Sequence, residues 1–146
     1  MNGDSVYLCG GMENISLEDM RGWREEAKVS LESSGIKTLD PTRRMALHLQ
    51  STTQEGHSKN RASKIVKLDY ADIAKSTVIL ADLRDSSKGG RRWGSVAELA
   101  HAHTKNKIII VILDKEQFVH PFIEFFATEI HYTLEDAVEA VKEYYW

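Results

Sequence analysis

The stretch KIIIVIL, residues 107–113, decides the fold. Every side chain from Ile108 to Leu113 is apolar, so an extended segment there is apolar on both faces. Strands of that kind lie in the middle of parallel sheets, covered by helices on each side. TVILAD, residues 77–82, reads the same way. Working outward, helical patterns alternate with short β-rich runs. GSVAELAHAHTKN (94–106) separates the two buried runs, and NRASKIVKLDYADIAKS (60–76) precedes them. SVYLC (5–9) reads as a first strand that stops at Gly10-Gly11. SLEDMRGWREEAKVSLESSG (16–35) follows as a helix, with Ser16 as its cap, Asp19 at the capping-box position and Gly35 as its stop. Met20, Trp23, Ala27 and Leu31 form its buried face.

IKTLD (36–40) is a second strand closed by Pro41, and residues 42–59 are polar and irregular, with STTQEGHSK the most loop-like part. TEIHY (128–132) reads as a fifth strand. TLEDAVEAVKEYYW (133–146) closes the chain as a helix with Leu134, Val138, Val141 and Tyr145 on one stripe. The alternation predicts an α/β fold, a doubly wound parallel sheet in a single domain spanning 1–146. Ligands of such sheets sit outside the carboxyl ends of the strands. Gly10–Met12, Asp82–Trp93 and the start of the helix at Gly94 are therefore expected to meet there.

The totals narrow the partners. The 146 residues suit one core, and 42% apolar with 28% charged residues is an ordinary globular balance. A net charge of −3 speaks against a nucleic-acid polymer or a membrane surface as partner, while a small anion needs only a local cationic pocket. The single cysteine, Cys9, excludes an internal disulfide, and MNGDSVYLCGG lacks a secretory pattern; a reducing, cytoplasmic compartment is expected. The longest apolar run is too short to span a bilayer.

Some residues look out of place. Asp69 falls on the apolar stripe of Ala62, Ile65, Val66 and Ile73, where a carboxylate needs a partner, a route to water or a task. Ser95 and Glu98 have the S-x-x-E spacing of a capping box. Glu98 is either that cap or an ionised carboxylate, favoured by the helix's positive end, presented to a loop for nucleophilic chemistry. The glycines of CGGMEN form either a plain tight turn or an N–H-lined anion nest, and the segment matches neither dinucleotide nor P-loop motifs. Arg43 and Arg44 are either solvated charges or phosphate clamps. His101 and His103 point to different faces of a helix, and His48, His57, His120 and His131 have no ligand spacing, so no metal site is expected. Cys9 reads as a small buried residue.

Taken together, VYLCGGM, WREEA, DPTRR, KLDYADIAKSTVILADL, GSVAELAHA and HPF resemble, in order and over nearly the whole chain, the nucleoside 2-deoxyribosyltransferase-like family. That family includes deoxyribosyltransferases and nucleotide N-hydrolases. The resemblance implies a flavodoxin-like, five-stranded parallel sheet and cleavage of a base from a (deoxy)nucleoside or its monophosphate, without metal or cofactor. It implies that Glu98 attacks the anomeric carbon, that Asp69 faces it and holds the sugar or departing base, and that the Tyr7 hydroxyl orients it. Gly10, Gly11 and Met12 match the turn lining the sugar pocket. Gly94 and Ser95 match the small residues at the helix start, Ser95 being a phosphate contact in monophosphate-cleaving members. The sequence departs from many transferases at Arg92, where they carry an acidic base contact. Asp82 or Asp85 would then stand in, or Arg92 would meet a phosphate. SSKGGRR (86–92) reads either as a lid or as an inert loop, and His120 as a substrate or subunit contact. Arg24, Arg43, Arg44 and Arg92 favour a phosphate-bearing substrate. Family members are homo-oligomers with shared sites, so at least a dimer is expected. The rival reading is a catalytically silent nucleotide-binding or sensing domain.

Overall fold

The computed structural model describes residues 5–12, 16–44, 59–87 and 92–145. In chain order the elements are β1 (Ser5–Gly10), α1 (Leu17–Ser33), β2 (Lys37–Leu39), a 3-10 turn (Pro41–Arg44), α2 (Lys59–Ala74), β3 (Ser76–Asp82), a second 3-10 turn (Asp85–Ser87), α3 (Trp93–Thr104), β4 (Ile108–Ile112), α4 (Pro121–Phe126), β5 (Glu129–His131) and α5 (Leu134–Lys142). The five strands form one parallel sheet in the order β2-β1-β3-β4-β5. This is the flavodoxin-like order, whose switch point for ligand binding lies between β1 and β3. Among the described residues no helix is long and apolar enough to cross a membrane.

The strand period of two assigns each side chain to a layer. Val6, Leu8, Val78, Leu80, Ile110 and Ile112 face α1 and α5. Tyr7, Cys9, Ile79, Ala81, Ile109 and Val111 face the other layer, with Ile73 of α2, Leu99 and Ala102 of α3 and Ile123 of α4. Tyr7 and Cys9 are thus turned towards α3, the helix that carries Glu98. The stripe of the last helix is core, with Leu134, Val138 and Val141 buried.

Helix α1 starts and stops where its signals lie. Ser16 accepts the Asp19 N–H at 3.1 Å, and Gly35, at φ +80°, takes the left-handed conformation that ends the helix. Its buried face contains a charge that the apolar stripe hides. Arg24 is fully buried and donates to the carbonyls of Leu8 (3.3 Å), Met20 (2.6 Å) and Gly10 (2.9 Å). The reason lies in the register. β2 pairs with β1 only as far as Tyr7–Leu39, whereas β1 runs on to Gly10. Beyond that point the guanidinium replaces the missing strand. Gly10 must be glycine here, because a Cβ would sit 2.9 Å from Trp23 Cζ2. Arg24 is therefore not a phosphate ligand. It is a strut under the end of β1.

Three expectations need correction. α3 begins at Trp93, so Ser95 is its third residue, the Arg92 cap position makes no side-chain cap bond, and the Ser95/Glu98 capping box does not exist. Val66 is 47% exposed, and α2 buries Asp69, Asp72 and Ile73 instead. The short α4 was not expected. Most of the loop expected at 42–59 (residues 45–58) and the centre of the proposed lid (88–91) lie outside the described residues.

Candidate active site

The α2/α3 side of the sheet brings three of the expected residues together at the β1/β3 switch point. The Tyr7 hydroxyl donates to Glu98 Oε2 at 2.8 Å, and Glu98 Oε1 lies 3.5 Å from Cys9 Sγ. Asp69 reaches the same carboxyl from α2, close enough to share a hydrogen bond with it. Tyr7 and Asp69 are buried and Glu98 is half-buried, with its carboxyl enclosed by these side chains. Glu98 stands in the second turn of α3, beyond the reach of the helix's positive end. Burial first, and then the charge of Asp69, push it up to about 8, against the pull of the Tyr7 hydrogen bond. Burial and the neighbouring acid thus favour the protonated form of Glu98, opposite to the pull expected from a helix start. Tyr7 is itself pushed well above the usual phenol range by burial and by the two acids, so it remains a donor.

This shift has a consequence for stability. The native protein retains on Glu98 a proton that the unfolded chain releases near 4.5, so stability falls as pH rises from there to about 8 and levels off above. Glu98→Gln removes the penalty. Its melting temperature is expected to draw away from wild type as pH rises through that window, by about 2–4 °C for each kcal/mol. A difference independent of pH would contradict the assignment.

Behind Asp69 stands an ion-pair network that sequence reasoning missed. Arg44 Nη2 donates to Asp69 Oδ1 at 2.6 Å and to Asp72 Oδ2 at 2.9 Å. Arg43 Nη2 contacts both oxygens of Asp72, at 2.8 and 2.7 Å. Asp72 is 3% exposed, and only its position three residues after Asp69 on α2 signals it. Beside it, Tyr70 of α2 stacks on His101 of α3 at 3.7 Å, pinning the two acid-bearing helices together.

The other expected residues are placed as follows. Gly10 ends β1, with Gly11 and Met12 half-buried after it. Asp82, buried at the end of β3, is held by Arg84 Nε (2.9 Å) and Nη2 (3.0 Å). Arg92 is tied to Asp85 (3.1 Å) and to the Arg84 carbonyl. Gly94 is exposed in the first turn of α3, with nothing within 4 Å of a Cβ, and Ser95 is buried. His120 caps α4, its Nδ1 accepting the Phe122 N–H at 3.1 Å. It lines, with Arg92 and Val96, a mostly apolar cavity of about 220 Å³ beyond β3 and β4. Glu98 does not line that cavity. Arg24, Arg43, Arg44 and Arg92 are thus all engaged by protein groups, and the inference from them to a phosphate loses its basis.

No family model matches the chain, and no curated protein matches it in sequence. Solved structures match it in fold, which is that of the nucleoside deoxyribosyltransferases. A 2-deoxyribosyltransferase from Bacillus psychrosaccharolyticus is 15% identical with a TM-score of 0.69, over 92% of this chain and 90% of that one. A conserved protein from Enterococcus faecalis V583 is 14% identical with a TM-score of 0.66, over 97% and 98%. The CMP N-glycosidase BcmB of Clostridium botulinum is 15% identical with a TM-score of 0.60, over 97% and 99%.

Proposed function

We propose that this protein cleaves the N-glycosidic bond of a (deoxy)nucleoside, free or as its 5′-monophosphate, and passes the sugar to another base or to water. The observation that carries the reading is the Glu98 carboxyl, gripped by Tyr7 at 2.8 Å and sharing a hydrogen bond with Asp69 at the switch point of the sheet. Two of the fold neighbours, a 2-deoxyribosyltransferase and a CMP N-glycosidase, act on bonds of this class.

A carboxyl pair holding one proton suits the chemistry. Breaking C1′–N builds positive charge on the sugar and negative charge on the base. As Glu98 forms the C1′–O bond, the C1′–N electron pair leaves with the base, and the pair's proton passes through Asp69 to the departing nitrogen or oxygen. Arg44 leaves Asp69 anionic at the end of that step. An acceptor base or water then attacks C1′, the ester bond to Glu98 breaks, and the acceptor's proton returns to the pair. Tyr7 fixes the carboxyl's rotamer throughout. Asp82 and Arg92, at the ends of β3 and α3, stand near the path of the base, with Gly10, Gly11, Met12, Gly94 and Ser95 around the sugar. A homo-oligomer in the cytoplasm completes the proposal. The exposed rings of Phe118, Phe122 and Phe125 offer an apolar face for a second copy.

The test is incubation with deoxynucleosides and deoxynucleoside monophosphates, with and without an acceptor base. Free base is the expected product. New nucleoside only with acceptor marks transfer, and sugar release without it marks hydrolysis. kcat/KM is expected to fall above pH about 8, as the pair loses its proton. Tight nucleotide binding without base release would support the silent binding domain instead.

A further inference from the structure

The mechanism above leaves Cys9 unused, although its side chain touches the Glu98 carboxyl. Its side chain is fully buried, and its sulfur lies 3.5 Å from Glu98 Oε1 and 3.8 Å from the Ser95 carbonyl. A thiol has one proton, so it serves one of these acceptors at a time. Tyr7 already donates to Oε2. An ionised Glu98 therefore finds a donor for each oxygen, both supplied by alternate residues of β1.

We infer that Cys9 is a positioning residue: its thiol donates to Glu98 Oε1 when that carboxyl is ionised and turns to the Ser95 carbonyl when the carboxyl is protonated. The inference rests on the proposed function only for its effect on rate; the thiol switch itself requires no substrate. The reason for a switch is the difference in acceptor strength. A carboxylate outcompetes a peptide carbonyl for a donor, whereas a neutral carboxyl does not. Burial, and then the Glu98 charge, keep the Cys9 thiol protonated, so the proton to be redirected is present. The groups facing this pair are Tyr7 on β1, Asp69 on α2 and Arg24 on α1. Asp69 opposes ionisation of Glu98, and Tyr7 and Cys9 favour it. In the reaction the thiol would then lock the carboxylate as it becomes the nucleophile and release it as the proton returns.

Cys9 is the only cysteine in the chain, so its S–H stretching band in a Raman spectrum has one source. In wild-type protein that band is expected to move to lower frequency as Glu98 ionises on raising the pH, and to stay fixed in Glu98→Gln. A band that does not move in wild type, or that moves equally in Glu98→Gln, overturns the inference. In activity, Cys9→Ala is expected to lower kcat/KM about tenfold and to move the fall at high pH further up. Cys9→Ser, which keeps a donor, is expected to recover part of the rate and bring the limb back. Equal losses in both variants with an unmoved pH limb would reduce Cys9 to packing and overturn its positioning role. Wild-type protein that releases no base sinks the proposed function and leaves the Raman result to decide the thiol switch alone.

Discussion

Replacing Glu98 with alanine is expected to lower the rate of base release on the order of 10⁴-fold or more, the scale seen when a covalent nucleophile is deleted. The protein is expected to remain folded. Glu98 makes no capping bond whose loss would fray α3, and its carboxyl is held against both burial and a neighbouring acid. Removing it relieves that cost, so the melting temperature above neutral pH should be unchanged or higher. The pairing of these two outcomes makes the prediction sharp. A structural residue would show the opposite pattern, with lost stability and retained rate. Full activity in Glu98→Ala would remove the nucleophile from the account.

Arg24→Met is expected to produce the largest loss of stability, about 3–5 kcal/mol, or roughly 10 °C in melting temperature. Methionine keeps much of the buried volume but supplies none of the donors. The carbonyls of Leu8, Met20 and Gly10 would be left without the guanidinium that serves them. Asp40, 3.9 Å from Arg24 Nε, would lose its counter-charge. The Met20 carbonyl keeps its helical bond within α1, but those of Leu8 and Gly10 lose their partner. An acceptor left unpaired costs about 1–3 kcal/mol, so the two together exceed what the methionine regains by packing. The damage falls at the end of β1 that carries Tyr7 and Cys9, so activity is expected to fall with stability. A loss below about 1 kcal/mol in chemical denaturation would show that β1 stands without its strut.

The fold was legible because its strongest signals are local. A strand apolar on both faces has few destinations, and KIIIVIL and TVILAD occupy the centre of the sheet as β4 and β3. The helix α4 escaped because six residues are too few to show a period, although His120 and Pro121 mark its start. At the site, Asp69 drew notice because it is a carboxylate on an apolar stripe, and Glu98 because of its spacing from Ser95 at a helix start. Their partners were less legible, because pairing between distant segments leaves no spacing to read. Tyr7 and Glu98 are ninety-one positions apart, and Arg44 and Asp69 twenty-five. Arg24 sits beside an apolar stripe and reads with the other arginines as favouring a phosphate; only the truncated β2 pairing reveals its task under β1. The S-x-x-E spacing misled for a related reason. It is common, and only the start of α3 at Trp93 shows that Ser95 is already inside the helix.

The measurement that bears most directly on the central claim is a crystal structure of Glu98→Gln with an intact deoxynucleoside monophosphate. The side chain at position 98 is expected about 3–3.5 Å from C1′, on the sugar face opposite the base, with Asp69 on the base side. A nucleotide bound with its C1′ out of reach of residue 98, or with the base lying over that side chain, would contradict the account.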